Sequence, residues 1–386
     1  MSKKKIMVVM GTRPEAIKMA PVILAMKDSD VLDPIVVSTG QHREMLDQVN
    51  EVFGITPDMD LDIFEPGQSL NVMLSKIITG IDTAITDIDP DALMVQGDTT
   101  SVSGAAMAAF YRSIPVIHLE AGLRSGDLFD PFPEEGNRLI TGQISSLHLA
   151  PTDQAKQNLV REQFNPDNIV VTGNTVIDAL LHATKEPKPF TDPRVAELAQ
   201  SGRDILLVTA HRRENLGENM ESIGKAIAEL ATKYPDKAVL FPIHRNPKVR
   251  EAVLPQIEHL NNVVWTEPLP YGEFCHALKV SHIILTDSGG VQEEAPSLGK
   301  PVLVMRKTTE RPEAIEAGNA RLVGAHTDAI VDAVTELAQS QDAYETMSQA
   351  INPYGDGKSS DRVVAAIAAL LGVGERLPEF EYTTGH

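Results

Sequence analysis

The sequence predicts an α/β protein made of two doubly wound, Rossmann-like domains, and three observations carry that prediction. Short apolar runs alternate with longer amphipathic stretches from end to end. The runs come as two successive sets of six, with a proline-rich break between the sets. The strands are continuously apolar, as strands buried on both faces of a parallel sheet must be. Repeated strand–helix units of this kind build doubly wound folds.

In the first set, strands are expected at Ile6–Met10, Pro34–Ser38, Ala92–Val95, Pro115–His118, Leu147–Ala150 and Ile169–Thr172. In the second they are expected at Ile205–Thr209, Val239–Pro242, Val263–Thr266, His282–Leu285, Pro301–Val304 and Ala320–Val323. Segments such as Pro14–Met26, Glu218–Lys233 and Thr327–Ser340 have helical length and amphipathic spacing. The expected domains are residues 1–177 and 178–357, divided just before KEPKPFTDP, whose prolines exclude a helix. A last helix within 358–372 follows the glycine-rich NPYGDGKSSD and is expected to pack back on the first domain.

Composition narrows the function. The 386 residues carry 34 Lys+Arg against 54 Asp+Glu, a net charge of −20 spread over both halves. Nucleic-acid binding rests on cations that neutralise phosphates, so no nucleic-acid partner is expected. A single cysteine, Cys275, excludes an internal disulfide framework and a cysteine-based zinc cluster. The apolar run after MSKKK is too short for a signal-peptide core, and no window reaches the length of a membrane helix. A cytoplasmic protein with no membrane partner is the expectation.

Several familiar motifs are missing. There is no G-x-G-x-x-G, no H-E-x-x-H and no G-x-S-x-G. Gly357-Lys358-Ser359 resembles the end of a phosphate-binding loop, but Asn352 stands where that loop needs its first glycine. The histidines lack metal-ligand spacing. No cofactor and no metal are expected.

Ligands of parallel α/β sheets sit at the carboxyl ends of strands, so polar residues directly after apolar runs are the informative ones. After the first run come Arg13 and Lys18, which either border a cavity or are solvated cations of a capped helix. Asp98 and Glu120 end neighbouring strands and could face one site, although Asp-Thr-Thr is also good helix-capping chemistry. Glu134 and Glu135 open a further helix, a place where acids also serve to compensate the helix dipole. In the second half His211 and Arg212 follow one strand, and His244 follows another. Ser288-Gly289-Gly290 precedes a helix, offering free backbone N–H groups to a phosphate, with Glu294 one turn later in reach of a ribose hydroxyl. Arg306 to Glu313, including Arg311, closes yet another strand.

The strings GTRPEAIKMAP, QHREMLDQV, GDTT, EAGLRSG, PEEGNR, TGNTVIDAL, TAHRREN, TDSGGVQEEAPSLGKPVLV, TTERPEA and NPYGDG closely resemble the bacterial non-hydrolysing UDP-N-acetylglucosamine 2-epimerases. The resemblance runs from about Ile6 to Leu371. It implies a glycosyltransferase-B-like fold with the active site in the interdomain cleft, and interconversion of UDP-GlcNAc and UDP-ManNAc without NAD or metal. It also implies anti elimination of UDP to 2-acetamidoglucal and re-addition, in a homodimer that supplies ManNAc precursors for cell-surface polysaccharide. By motif, Asp98, Glu120 and Glu134 would be the acid–base groups, and His211 and Arg13 would hold the diphosphate. Lys18 would lie near the reacting sugar, with Arg212, Ser288, Gly289, Gly290, Glu294 and Arg311 binding the rest of the substrate. Gln41, His42 and Met45, with Glu135, Arg212 and His244, resemble residues at which relatives bind a second, activating UDP-GlcNAc. Gln96, Asp130 and Lys307 depart from the usual family pattern.

Overall fold

The computed structural model describes residues 2–40, 49–65 and 67–382. The chain divides into two compact units: Met1–His182 with Tyr354–Glu381, and Ala183–Pro353 with the last residues from Tyr382. The division falls within the helix Thr175–Lys185, between His182 and Ala183. No helix among the described residues is long and apolar enough to cross a membrane.

The first unit holds seven strands: β1 (Lys4–Met10), β2 (Leu32–Ser38), β3 (Met59–Asp60), β4 (Ala92–Gln96), β5 (Val116–Leu119), β6 (Leu147–Ala150) and β7 (Ile169–Val171). They lie in the order β3-β2-β1-β4-β5-β6-β7, every neighbouring pair parallel. The apolar runs are buried as expected, with β4, β5 and β6 inaccessible along their whole length. β3 was not anticipated, since two residues ending in an aspartate carry no apolar pattern. Chain order reverses between β1 and β4, which makes their carboxyl ends the switch point where such sheets bind ligands.

Local chemistry fixes the helices that leave that point. Thr12 and Glu15 form a capping box at the start of the helix Arg13–Lys27, with Pro14 in its first turn and Lys27 in its last. The Thr99 hydroxyl caps the helix Thr100–Tyr111 by accepting from Val102 N–H. Gly104 lets that helix lie close to the helix Leu70–Ile88, since a Cβ there would sit 2.7 Å from Ile77 Cγ2. Met7, Val9, Ile77, Ile81, Leu93 and Ala105 belong to the core so formed. The helix Ser359–Leu370 packs on Arg13–Lys27, so this C-terminal segment belongs to the first unit. Its start is capped by Asp178, whose carboxylate accepts from Ser360 N–H at 2.8 Å.

The second unit holds β8 (Ile205–Thr209), β9 (Ala238–Pro242), β10 (Val263–Thr266), β11 (Ile283–Thr286), β12 (Val302–Val304) and β13 (Ala320–Leu322). Their order is β10-β9-β8-β11-β12-β13, again all parallel. Phe241, Ile223, Val253 and Leu285 are part of its core. The switch point lies between β8 and β11. The fold class read from the apolar runs is therefore the observed one, twice over.

Candidate active site

In the first unit the loops after β1, β4 and β5 meet around two carboxylates. Glu120 follows β5 and takes a left-handed backbone, φ 62°, unusual for a residue other than glycine. Its carboxylate accepts hydrogen bonds from the Lys18 ammonium and from the Gln96 side-chain amide, with Asn174 Nδ2 farther off at 3.4 Å. Lys18 reaches it from the helix after β1, and Gln96 is the last residue of β4. Asp98 sits two residues beyond Gln96. Arg138 Nε lies 2.9 Å and its terminal nitrogen 2.6 Å from Asp98 Oδ2. Burial pushes the Asp98 carboxyl up; the Arg138 charge opposes that shift, and the Glu120 charge adds to it.

Arg138 also donates to Glu135 at 2.9 Å, and the other Glu135 oxygen accepts from Ser125 and Gly126 N–H. Burial alone would raise Glu135, but these donors outweigh it and hold it low. Glu135 thus ties the loop after Glu120 to the helix Glu134–Ile144, while Glu134 heads that helix half-buried. Arg13 is likewise half-buried at the first turn of its own helix. Buried Glu15 joins the two switch-point turns. It accepts from Gly11 N–H at 2.6 Å and from the Thr99 hydroxyl at 2.6 Å, and burial pushes its carboxyl up.

The second unit reverses the pattern, with acids holding bases and cations. Asp287, wholly buried after β11, accepts from the backbone N–H of His211 and Arg212 and from Asn215 Nδ2. Its Oδ1 lies 3.2 Å from His211 Nδ1. Burial would raise Asp287, but His211, Arg212 and Asn215 more than offset it, so its pKa is lowered. The exposed His211 ring stacks on His244, with centroids 5.8 Å apart. Burial, with His211 adding, pushes the His244 imidazole down. Arg212 Nε is buried without a hydrogen-bond partner among the described residues. A Cβ on Gly289 would stand 3.5 Å from the Arg212 guanidinium, an ordinary contact, so that cation lies against the Ser288-Gly289-Gly290 turn. Glu294 is buried in the helix that follows. Arg311 pairs with Glu293, and buried Arg306 pairs with Glu214 and with Glu310, holding the Glu310 carboxyl down to about 2.

The structure therefore gathers Lys18, Asp98 and Glu120 in the first unit, and His211, Arg212 and the Ser-Gly-Gly turn in the second. Gln41, His42 and Met45 lie outside the described residues. Sequence reasoning missed Arg138 and Asp287. Arg138 is hidden behind the glutamates of PEEGNR, and Asp287 reads as part of a glycine turn; only the partners across the fold reveal them. Among the described residues no group of three or more His, Cys, Asp or Glu could hold a metal ion.

Two parallel, doubly wound units with charged switch points define a protein of the glycosyltransferase-B type. The same architecture appears in a glycosyltransferase from Rickettsia africae at 14% identity and a TM-score of 0.62, covering 96% of this chain and 99% of that one, a likeness of fold alone. The chain belongs to the UDP-N-acetylglucosamine 2-epimerase family, whose model matches residues 24–368, and so to the non-hydrolysing isomerases that its motifs resemble. It is 48% identical over 369 residues to the UDP-N-acetylglucosamine 2-epimerase of Yersinia pestis, covering 94% of this chain and 98% of the relative. The crystal structure of the Neisseria meningitidis enzyme bound to UDP-GlcNAc is 46% identical, with a TM-score of 0.82 over 95% of this chain and 100% of that one.

Proposed function

We propose that the protein interconverts UDP-GlcNAc and UDP-ManNAc by anti elimination and re-addition of UDP at the sugar. The observation that carries this reading is the pair Asp98 and Glu120, which follow adjacent parallel strands in unlike environments. Glu120 is held by an ammonium and an amide and Asp98 by a guanidinium, and carboxyl groups in unlike settings are suited to different proton-transfer roles. Glu120, against Lys18, accepts the proton at sugar carbon 2. The electrons of that C–H bond form the double bond to carbon 1, and the anomeric C–O bond breaks with its pair on the departing diphosphate. Loss of UDP builds cationic character at carbon 1, which makes the proton acidic enough to remove. Re-addition forms the C–O bond again while a carboxylic acid returns a proton on the opposite face, with Asp98 and Glu134 as donors. In the reverse direction these roles exchange.

Departure of diphosphate needs positive charge and N–H donors already in place. His211, Arg212, Arg13 and the Ser288-Gly289-Gly290 turn supply them in this reading, with Glu294 at the ribose and Arg311 at the sugar or phosphates. The same reading includes a homodimer in the cytoplasm that feeds ManNAc into cell-surface polysaccharide. It also includes a second, activating UDP-GlcNAc that engages His244, Glu135, Gln41, His42 and Met45. A lag with pure UDP-ManNAc, abolished by a trace of UDP-GlcNAc, tests that regulatory part.

The main test is pure protein with UDP-GlcNAc alone, in EDTA and D2O. UDP-ManNAc carrying deuterium at carbon 2 is expected. Free ManNAc with UDP would mean hydrolysis, and turnover only with an added acceptor would mean sugar transfer; either result overturns the reading.

A further inference from the structure

We propose that His118 is a positioning residue for this reaction: its neutral imidazole clamps the Gly97 carbonyl and so sets how Asp98 is held relative to Glu120. The inference rests on the reading in which those two carboxylates act at the sugar.

Within the sheet, Val95 pairs with His118 and Gln96 with Leu119, and the ladder ends at Gly97 N–H donating to Leu119 O at 3.0 Å. Past that bond both chains turn into left-handed backbone, Gly97 at φ 81° and Glu120 at φ 62°. For glutamate this conformation costs on the order of 1 kcal/mol and persists only where its surroundings impose it. Lys18 and Gln96 grip the two oxygens of the Glu120 carboxylate. The grip on the other strand end comes from His118, whose Nε2 lies 2.8 Å from the Gly97 carbonyl oxygen.

A carbonyl only accepts, so Nε2 carries the proton and the tautomer is settled. Nδ1 is then an unprotonated nitrogen. It is buried with no hydrogen-bond partner among the described residues, on a side chain in register with His148. Burial pushes the His118 imidazole down to about 4, so near neutral pH it stays a one-proton donor. Asp98 is the residue after the clamped carbonyl. Among the described residues its other tethers are the Arg138 pair on the carboxylate and Asn137 Nδ2 on its own carbonyl at 2.9 Å. Without the clamp, the Gly97–Asp98 peptide loses the restraint on its carbonyl and can tilt between its flanking tethers, and a displacement of about 1 Å at a reacting group costs on the order of a hundredfold in rate.

The test compares three variants of the full chain. His118→Phe keeps the ring volume and deletes the donor. His118→Gln places an amide N–H near the former Nε2 position, and His118→Asn carries an N–H too short to reach. Measured for each are kcat and KM for UDP-GlcNAc, UDP affinity by calorimetry, and thermal stability. The Phe and Asn variants are expected to lose about 10- to 100-fold in kcat, with KM and UDP affinity within about threefold of the parent. The Gln variant should recover most of the loss. Should the Phe variant fail to fold, the Asn and Gln pair makes the same comparison. A folded Phe or Asn variant with parental kcat overturns the proposal, as does equal impairment of Gln and Asn in step with lost stability. Full activity of both Asp98→Asn and Glu120→Gln would instead overturn the underlying reading, whatever His118 does.

Discussion

In the first unit the turns after β4 and β5 present the carboxylates Asp98 and Glu120, and the groups that hold them are cations and an amide: Lys18, Arg138 and Gln96. In the second unit the turns after β8 and β11 present an imidazole, a guanidinium and a glycine turn, and the groups that hold them include Asp287. The sheets share a doubly wound order with a switch point at corresponding places. One backbone plan thus supports two opposite charge patterns, because the sheet dictates where loops emerge and leaves their side chains open. Asp98 and Glu120 are held by cations and His211 by a carboxylate, so removing a holder should affect one unit's task and leave the other's intact.

That contrast can be broken most sharply at Glu120. Glu120→Gln should lower kcat by about 10²–10⁴-fold, the range of general acid–base contributions, while UDP affinity by calorimetry stays near parental. Lost UDP binding in a folded variant would mean that the division of labour between the units is wrong.

Acid should separate the units next. Burial lowers the folded-state pKa of His118 to about 4 and of His148 to about 3, both from 6.5. A depressed histidine contributes stability that is fully present above pH 6.5 and is lost as pH falls toward the folded value. At pH 5 each therefore costs about 2 kcal/mol relative to neutral pH. In the second unit the less buried His244 and His282 are pushed down as well, but less far, and Asp287, lowered from 3.8, gives up its share only below that pH. The raised carboxyls of Glu15 and Asp98 offset part of the first unit's larger loss. Hydrogen exchange at pH 7 and pH 5 should show β5 and β6 losing protection before β8 and β11. Equal losses would show that the buried histidines do not govern acid stability.

Arg212→Ala addresses the second unit. Charged hydrogen bonds are worth about 1.5–3 kcal/mol, so UDP should bind roughly 10- to 150-fold more weakly, with thermal stability little changed. Parental affinity would remove Arg212 from the anion site. The smallest effect is expected from Gly104→Ala, where the new methyl meets Ile77 and Leu74 side chains. Overpacking of this kind costs about 1–3 kcal/mol, because buried, β-branched Ile77 cannot swing its Cγ2 aside, and the gain of about 0.5–1 kcal/mol for alanine over glycine in a helix brings the net cost to the low end. The melting temperature should drop, with kcat and UDP affinity of the folded protein unchanged.

Much of the fold was legible because apolar runs report burial directly. Every expected strand formed to within two residues, since strands covered on both faces must be apolar throughout. β3 escaped because Met59–Asp60 pairs through backbone bonds to β2, which leave no mark on side-chain pattern. Candidate site residues were legible where a strand end and an unusual polar residue coincide, as at Asp98, Glu120 and His211. Arg138, Gln96 and Asp287 were not, because a holder is defined by what it touches: Arg138 lies forty positions from Asp98, and Asp287 seventy-six from His211.

The sequence by itself determined the class of the fold and the inventory of chemistry, for hydrophobic periodicity and residue type are local properties of the chain. Only the tertiary structure decided which charges neutralise one another, which carboxylates burial raises and which donors lower, and which histidine tautomer faces Gly97. Those outcomes depend on distance and dielectric across strands far apart in sequence, and neither quantity exists until the chain has folded.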